Sequence, residues 1–265
     1  MQEDFLKNIL NKDIIYIKDK INSIPLIYTN LLEKTITIKK NKFNIVGLMC
    51  RGASKQIFLL KNNDRELVYR CPFIRLDNDT LIVNNFTENF IHLFLSNLNK
   101  NKILKVHYLG FNPEYHFIAS FIEKMDGTLY GYLKREDLNF DMKSKVLIKE
   151  LYEIASILEE LQDEYKFVHN DLKCDNIFYK GKNFYIGDFD NASMTRTEEF
   201  NPKKDLFILT QSLFFSFNFD FFKIFPLIEN IKSHNEFHKL YQYKDIDDIY
   251  FPKNYKKILK EKLFY

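Results

Sequence analysis

Residues 167–190, FVHNDLKCDNIFYKGKNFYIGDFD, gather oxygen-bearing side chains of the kind that hydroxyl protons and hard cations require. Asp171 lies in a polar loop that comes directly after a long helical pattern. Lys173 stands two positions on, Asn176 five, and Asp188 seventeen. The short apolar runs Ile177–Tyr179 and Phe184–Ile186 predict two adjacent strands. That pairing brings Asn176, which precedes the first strand, and Asp188, which follows the second, to the same end, facing one cleft. An amide oxygen and a carboxylate there suit a hard cation such as magnesium. Asp171 is then placed to orient an attacking hydroxyl, and Lys173 to neutralise a phosphate in transit. Transfer of a phosphoryl group from ATP needs such a set.

The elements that must hold these groups fall into two kinds. Residues 1–34 read as a helical extension broken at Pro25. From residue 35 to about 70 the chain reads as strands: TITIKK alternates, FNIVGLMC is apolar, and KQIFLL and ELVYRCPF flank the turn KNNDR. Residues 86–98 predict a helix, with Phe86, Phe90, Leu93, Phe94 and Asn97 at helical spacing. ILKVHYLGF and YHFIASFIE predict two more strands around a turn at Asn112–Pro113. Residues 143–164 set Leu147, Leu151, Ile154, Leu158 and Leu161 on one face of an amphipathic helix. Beyond the two short strands the rest reads as helix. A strand-rich half followed by a helix-rich half predicts an α+β fold. The boundary falls in Glu123–Thr128, giving an extension over 1–34, a sheet-plus-one-helix lobe over 35–124 and a mainly helical lobe over 125–265.

Composition narrows the class. The 265 residues suffice for one two-lobed domain, and 46% hydrophobic content fits a globular chain. Lys and Arg number 39 against 36 Asp and Glu, so the charge balance makes no case for nucleic acid. The wealth of Lys, Asn, Ile and Phe points to an AT-rich gene, from a large DNA virus or an AT-rich microbe. Cys50, Cys71 and Cys174 have no metal-type spacing, which argues for a reducing compartment. The first residues lack a secretory pattern, and the greasiest stretch, residues 206–228, is interrupted by Gln211, Asn218, Asp220 and Lys223. The expectation is a cytoplasmic protein (host cytoplasm if the gene is viral) with no membrane partner. His92, His107 and His169 show no i, i+4 ligand spacing, so zinc is not expected.

These residues resemble a eukaryotic-like serine/threonine protein kinase. The family pattern H-R-D-L-K-x-x-N stands here as His169-Asn170-Asp171-Leu172-Lys173-Cys174-Asp175-Asn176, and D-F-G as Asp188-Phe189-Asp190. The resemblance covers about residues 43–220. It implies a two-lobed protein-kinase-like fold with a small antiparallel sheet lobe, ATP and Mg2+ as cofactors, and a protein substrate. By the same resemblance Asp171, Lys173 and Asn176 are catalytic, and Asn176 and Asp188 bind the metal. MCRGASKQIFLL resembles the phosphate-covering loop, with Gly52 the one glycine left of three. Gly52, Lys55, Ile57, Arg70, Glu88, Glu123 and Met125 would serve the nucleotide. Glu88 matches the helix glutamate that pairs with the strand lysine, although a solvated helix charge explains it equally. FIEKMDGTL resembles the hinge, with Ile122 gating the pocket and the backbone of Glu123 and Met125 meeting the adenine edge. Asp205 resembles the buried aspartate that braces the catalytic loop; its plainer reading is a helix cap.

The chain departs from the family at several points. V-A-I-K reads Leu67-Val68-Tyr69-Arg70, and arginine is not a neutral replacement for lysine. Lys55 stands where the third loop glycine belongs, which is similar to the with-no-lysine kinases. It would either reach the cleft or face solvent. Asp190 replaces the D-F-G glycine and reads as a turn residue, since Asp reaches positive φ more readily than most residues. Asn170 removes the arginine that usually answers a phosphate. No A-P-E is present, although Ser193, Thr195, Thr197 and the pair Glu198–Glu199 lie in the short segment before Asp205. Two other functions remain open. The eroded loop, Arg70 and Asp190 fit a pseudokinase binding module. The short segment fits a small-molecule phosphotransferase of the aminoglycoside or choline kinase type.

Overall fold

Alternation decides the first half of the chain. A computed structural model describes residues 35–38, 41–52, 55–63, 65–72, 79–98, 102–112, 117–194, 203–216 and 260. The extension expected over 1–34 lies outside them, as do Thr195, Thr197, Glu198 and Glu199. Six strands form one antiparallel sheet: β1 (Thr35–Ile38), β2 (Asn41–Arg51), β3 (Lys55–Lys61), β4 (Glu66–Pro72), β5 (Val106–Asn112) and β6 (Phe117–Glu123), in the order β1-β2-β3-β4-β6-β5. Successive side chains on a strand point to opposite faces. One face therefore collects Ile36, Phe43, Ile45, Phe58, Leu60, Leu67, Tyr69, Phe117 and Phe121 in a single apolar cluster. Lys55, Ile57, Arg70 and Ser120 fall on the other face by the same alternation, and Arg70 sits opposite both Ile57 and Ser120 in the ladder.

FNIVGLMC lies within β2, a strand as its composition predicts, but it is not enclosed throughout. β1 partners β2 only over Asn41–Asn44, register breaks follow at Ile45/Gly47 and Leu48/Cys50, and Val46, Leu48 and Met49 stand about half exposed. The helix α1 runs Asp79–Asn97, beginning two turns before the predicted Phe86. Its buried face is not the aromatic row. Phe86, Phe90 and Phe94 are only partly buried, whereas Asn85, Glu88, Asn89, Ile91, His92, Leu93, Leu95 and Ser96 are buried. Helical spacing located the helix but could not say that its inner face mixes polar residues with Ile91, Leu93 and Leu95.

The chain divides into two compact units. The first comprises residues up to Lys100 with Leu104–Lys124; the second comprises Asn101–Ile103 with Met125 onward. In the second, β7 (Gly127–Thr128) leads into α2 (Leu129–Lys134), capped by the Thr128 side chain. Helix α3 (Phe140–Tyr165) is capped by Asn139, which accepts from the Met142 amide, and ends at Lys166 in the left-handed region. Leu147, Leu151, Ile154, Leu158 and Leu161 are all buried, as their spacing requires. There follow β8 (Phe167–Val168), a 3-10 turn at Cys174–Asn176, β9 (Ile177–Lys180), β10 (Asn183–Ile186), β11 (Ser193–Met194) and α4 (Lys203–Ser216). β9 pairs with β10 and β7, and β11 pairs with β8. The architecture is mixed α+β. Among the described residues no helix is long and apolar enough to cross a membrane.

A buried ion pair holds Lys102 within the second unit. Lys102 bonds Glu150 at 2.6 Å and Glu153 at 2.5 Å, and its carbonyl accepts the Ile186 amide. Desolvation opposes the Lys102 charge, but the bonds to the two glutamates prevail and raise its pKa. Packing is close at Gly127. A Cβ there would fall 2.9 Å from the Tyr179 ring, which stands edge-on to Tyr132 and close to Phe184. Gly127→Ala should therefore destabilise the chain by about 1–3 kcal/mol, as overpacking does. Gly131→Ala, inside α2 with its nearest such contact at 3.8 Å, should be neutral or stabilising. Urea unfolding of both variants checks this; equal midpoints would contradict it.

Candidate functional site

A carboxylate buried on helix α4 builds the loop that carries the sequence motif. Asp205 is fully buried in the first turn of α4, yet it does not cap its own helix. Its two oxygens accept the backbone N–H groups of His169 and Asn170, each at 2.8 Å. Gln162 of α3 approaches the same carboxylate at 3.5 Å. Burial raises the Asp205 pKa above its ordinary 3.8, against the lowering effects of His169 and the two N–H bonds. The bracing reading of Asp205 thus describes what the side chain touches, and the cap reading is set aside.

Anchored at that point, the loop turns sharply. Asn170 adopts φ 65°, a left-handed conformation that Asn tolerates better than most residues. Its side chain donates to the carbonyl of Asn191 and to Ser193 Oγ, and accepts from Lys204 Nζ at 2.9 Å. Asn170 therefore links the loop to the following segment with a neutral amide, and the nearby cation comes from Lys204. The histidine side chain makes a second link: His169 Nε2 lies 3.0 Å from the Gly187 carbonyl, and its ring packs on buried Phe189.

The three predicted loop residues meet. Lys173 Nζ bonds Asp171 Oδ2 at 2.8 Å, and Asn176 Nδ2 donates to the Asp171 carbonyl at 2.8 Å and to Oδ2 at 3.2 Å. The bond to Asp171 raises the Lys173 pKa, with Asp188 and Asp175 adding to it. Asp171 and Asp188 are half-buried. Ile177 pairs with Ile186, and the Gly187 amide donates to the Asn176 carbonyl at 3.0 Å. Asn176 and Asp188 therefore sit at the same end of the β9–β10 hairpin, as the two short strands predict. Asp188 itself adopts φ 61°. Such backbone costs of order 1–3 kcal/mol and concentrates at functional sites. Asp190 is an exposed residue in the Phe189–Ala192 turn, as a turn residue should be, while the positive φ falls on Asp188. Asn176 and Asp188 offer amide and carboxylate oxygens, the donor types a hard divalent cation takes.

The first unit holds a second cluster. Glu88 is buried and receives two cations: Lys55 at 2.5 Å on one oxygen and Arg70 on the other. Arg70 also reaches Ser120 Oγ at 3.4 Å. The side chains of Arg70 and Lys55 are 6% and 13% exposed, so Lys55 is neither a solvent-facing lysine nor as deeply enclosed as Arg70. Ile57 is partly buried opposite Arg70. Gly52 closes the β2–β3 turn by donating to the Lys55 carbonyl. Ile122 is buried on β6, the Glu123 amide donates to the Lys105 carbonyl, and Met125 is partly exposed at the start of the second unit. Sequence reasoning missed Ser120, Asn85 and Lys204. Only Asn85 left a signal, as a polar residue one helical turn before Glu88.

A scan against protein-family models and a search of curated proteins found no match for this chain.

Replacing Asp205 by Ala leaves two backbone N–H groups without acceptors, each costing about 1–3 kcal/mol. Asp205→Asn should cost less. The folded-state pKa of Asp205 is raised, so its titration stabilises the fold fully below about 3.9 and loses that contribution as pH rises through the folded value. The advantage of wild type over Asp205→Asn should accordingly widen from neutral to mildly acidic pH. Denaturant titrations at two pH values measure this; a narrowing gap would contradict the sign.

Proposed function

We propose that this chain binds ATP with magnesium and transfers the γ-phosphoryl group to a serine or threonine hydroxyl of a protein, on a two-lobed protein-kinase-like fold. The observation that carries the reading is the hydrogen-bonded set Asp171–Lys173–Asn176, on a loop whose backbone is fixed by buried Asp205. A loop needed only for folding has no reason to hold a half-exposed carboxylate, an ammonium and an amide against one another beside two strained residues.

In this reading Asp171 orients the acceptor hydroxyl and takes its proton, and Lys173 screens the charge on the transferring group. Magnesium, held by Asn176 and Asp188, would neutralise phosphate oxygens. Lys55 and Arg70 supply the positive charge for the triphosphate. Glu88 holds both in place, much as a helix glutamate holds a single lysine in the family that the sequence resembles. Arg70 is the more enclosed and is shared with Ser120, which supports Lys55 as the group nearer the phosphates.

Thermal-shift titration with ATP and magnesium tests binding. Wild type should be stabilised by about 2.7 kcal/mol at a hundredfold excess over Kd. Asp188→Ala should lose the shift. Asp171→Asn should keep it while losing transfer by about 100- to 10,000-fold. Label from ATP appearing on a small molecule would overturn the protein acceptor. Binding without transfer to any acceptor would make the chain a binding module. Lys55→Ala should weaken nucleotide affinity, and Arg70→Ala, by leaving one oxygen of buried Glu88 without its cation while Lys55 keeps the other, should cost about 1–3 kcal/mol of stability. Reversed outcomes for those two variants would exchange the two roles.

A further inference from the structure

Strand β6 has a backbone problem at Ile118. On one side it pairs with β5, Phe111 standing opposite Ile118. On the other, pairing with β4 ends at Arg70–Ser120. Continuing that register would set Ile118 opposite Pro72, which has no N–H to offer. Ile118 is nonetheless buried, so its own N–H and carbonyl need partners inside the protein. Helix α1 supplies them. Asn85 Oδ1 accepts the Ile118 N–H at 2.7 Å, and Asn85 Nδ2 donates to the Ile118 carbonyl at 3.1 Å. Asn89, one turn on, donates to the Asn85 carbonyl at 2.8 Å and reaches the Ile118 carbonyl at 3.4 Å. A side-chain amide thus completes the ladder where the strand stops.

The geometry around that clamp is specific. Asn85, Glu88 and Asn89 lie at i, i+3 and i+4, hence on one helical face. All three are buried. The amide that grips β6 therefore sets both the rotation and the longitudinal position of the turn that presents Glu88. Ser120, two residues from Ile118 on the same strand and the same side, holds Arg70. Glu88 meets Lys55 and Arg70 only if α1 keeps this register against β6.

We propose that Asn85, backed by Asn89, is a positioning residue: it fixes α1 on the unpaired stretch of β6 and so keeps Glu88 lodged between Lys55 and Arg70. The proposal deepens the nucleotide reading, on which the purpose of that cluster rests.

Lysine acylation of the full chain tests it. With acetic anhydride at mildly alkaline pH, the rate at Lys55, measured by peptide mass spectrometry, is referred to exposed Lys61. Lys55 of wild type should react slowly, Glu88→Gln should mark the released rate, and Asn85→Ala should raise the rate by about fivefold, as loss of one net hydrogen bond would. Asn89→Ala should give a smaller rise, and it carries the same readout if Asn85→Ala does not fold. A variant that melts earlier while its Lys55 rate stays at the wild-type value would overturn the proposal, because the amide would then serve stability alone. Adding ATP and magnesium to wild type separates the two ideas. Protection of Lys55 supports the nucleotide reading and its absence counts against that reading, while the rates without nucleotide still decide the clamp.

Discussion

A carboxylate without access to water must find its hydrogen bonds inside the protein, and Asp205 finds them on the backbone of the loop that carries Asp171. This constraint organises the second unit. Two N–H groups pointing at one carboxylate fix the peptide planes at His169 and Asn170. The chain is left-handed at Asn170, the second of those two residues. Burial alone would drive the Asp205 carboxyl toward its neutral form, so the paired N–H groups are what make an aspartate tolerable there. His169 and Asp205 are fully buried, and the His169 ring lies against Phe167 and Phe189.

The first unit applies the same principle to Glu88. Two cations on one buried glutamate satisfy both oxygens, and the arrangement requires strands β3 and β4 to deliver Lys55 and Arg70 to one face. Antiparallel pairing accomplishes this, since Arg70 stands opposite Ile57 and Lys55 is two residues away on the same face. An arginine in the strand with a lysine in the neighbouring strand keeps two positive charges near the carboxylate. Arginine brings a fork that Glu88 and Ser120 share, and lysine brings a single mobile point charge. The division of work proposed for the two cations rests on that chemical difference.

How much of this was legible depends on whether a residue's role follows from its neighbours in the chain. The apolar stripe of α3, the six strands of the sheet and the hairpin that brings Asn176 level with Asp188 all express short periods, and each was readable. The inner face of α1 was not. Phe86, Phe90 and Phe94 look like the buried stripe because aromatic side chains favour burial, yet they are only partly buried, and the polar Asn85, Glu88 and Asn89 are enclosed with Ile91, Leu93 and Leu95. Their burial is made possible by partners 29 to 33 residues distant in the chain: Asn85 and Asn89 reach Ile118, and Glu88 reaches Lys55. Asp205 posed the same ambiguity, cap or brace, because nothing within one turn of it reveals His169.

The sequence by itself determined the α+β class, the six strands of the first unit with helix α1 among them, and the α3 helix and β9–β10 hairpin of the second, and it set Asp171, Lys173, Asn176 and Asp188 at spacings that bring them to one loop and one hairpin end. Those features depend on residue type and on spacings of two to seventeen positions, which the chain carries locally. Tertiary structure decided which polar groups are enclosed, that Glu88 takes both Lys55 and Arg70, that the strained φ falls on Asp188 and not Asp190, and that an asparagine finishes a strand. These outcomes depend on which distant backbone groups lack partners when the elements pack. That deficit exists only in the folded chain, because in the open chain water satisfies every one of them.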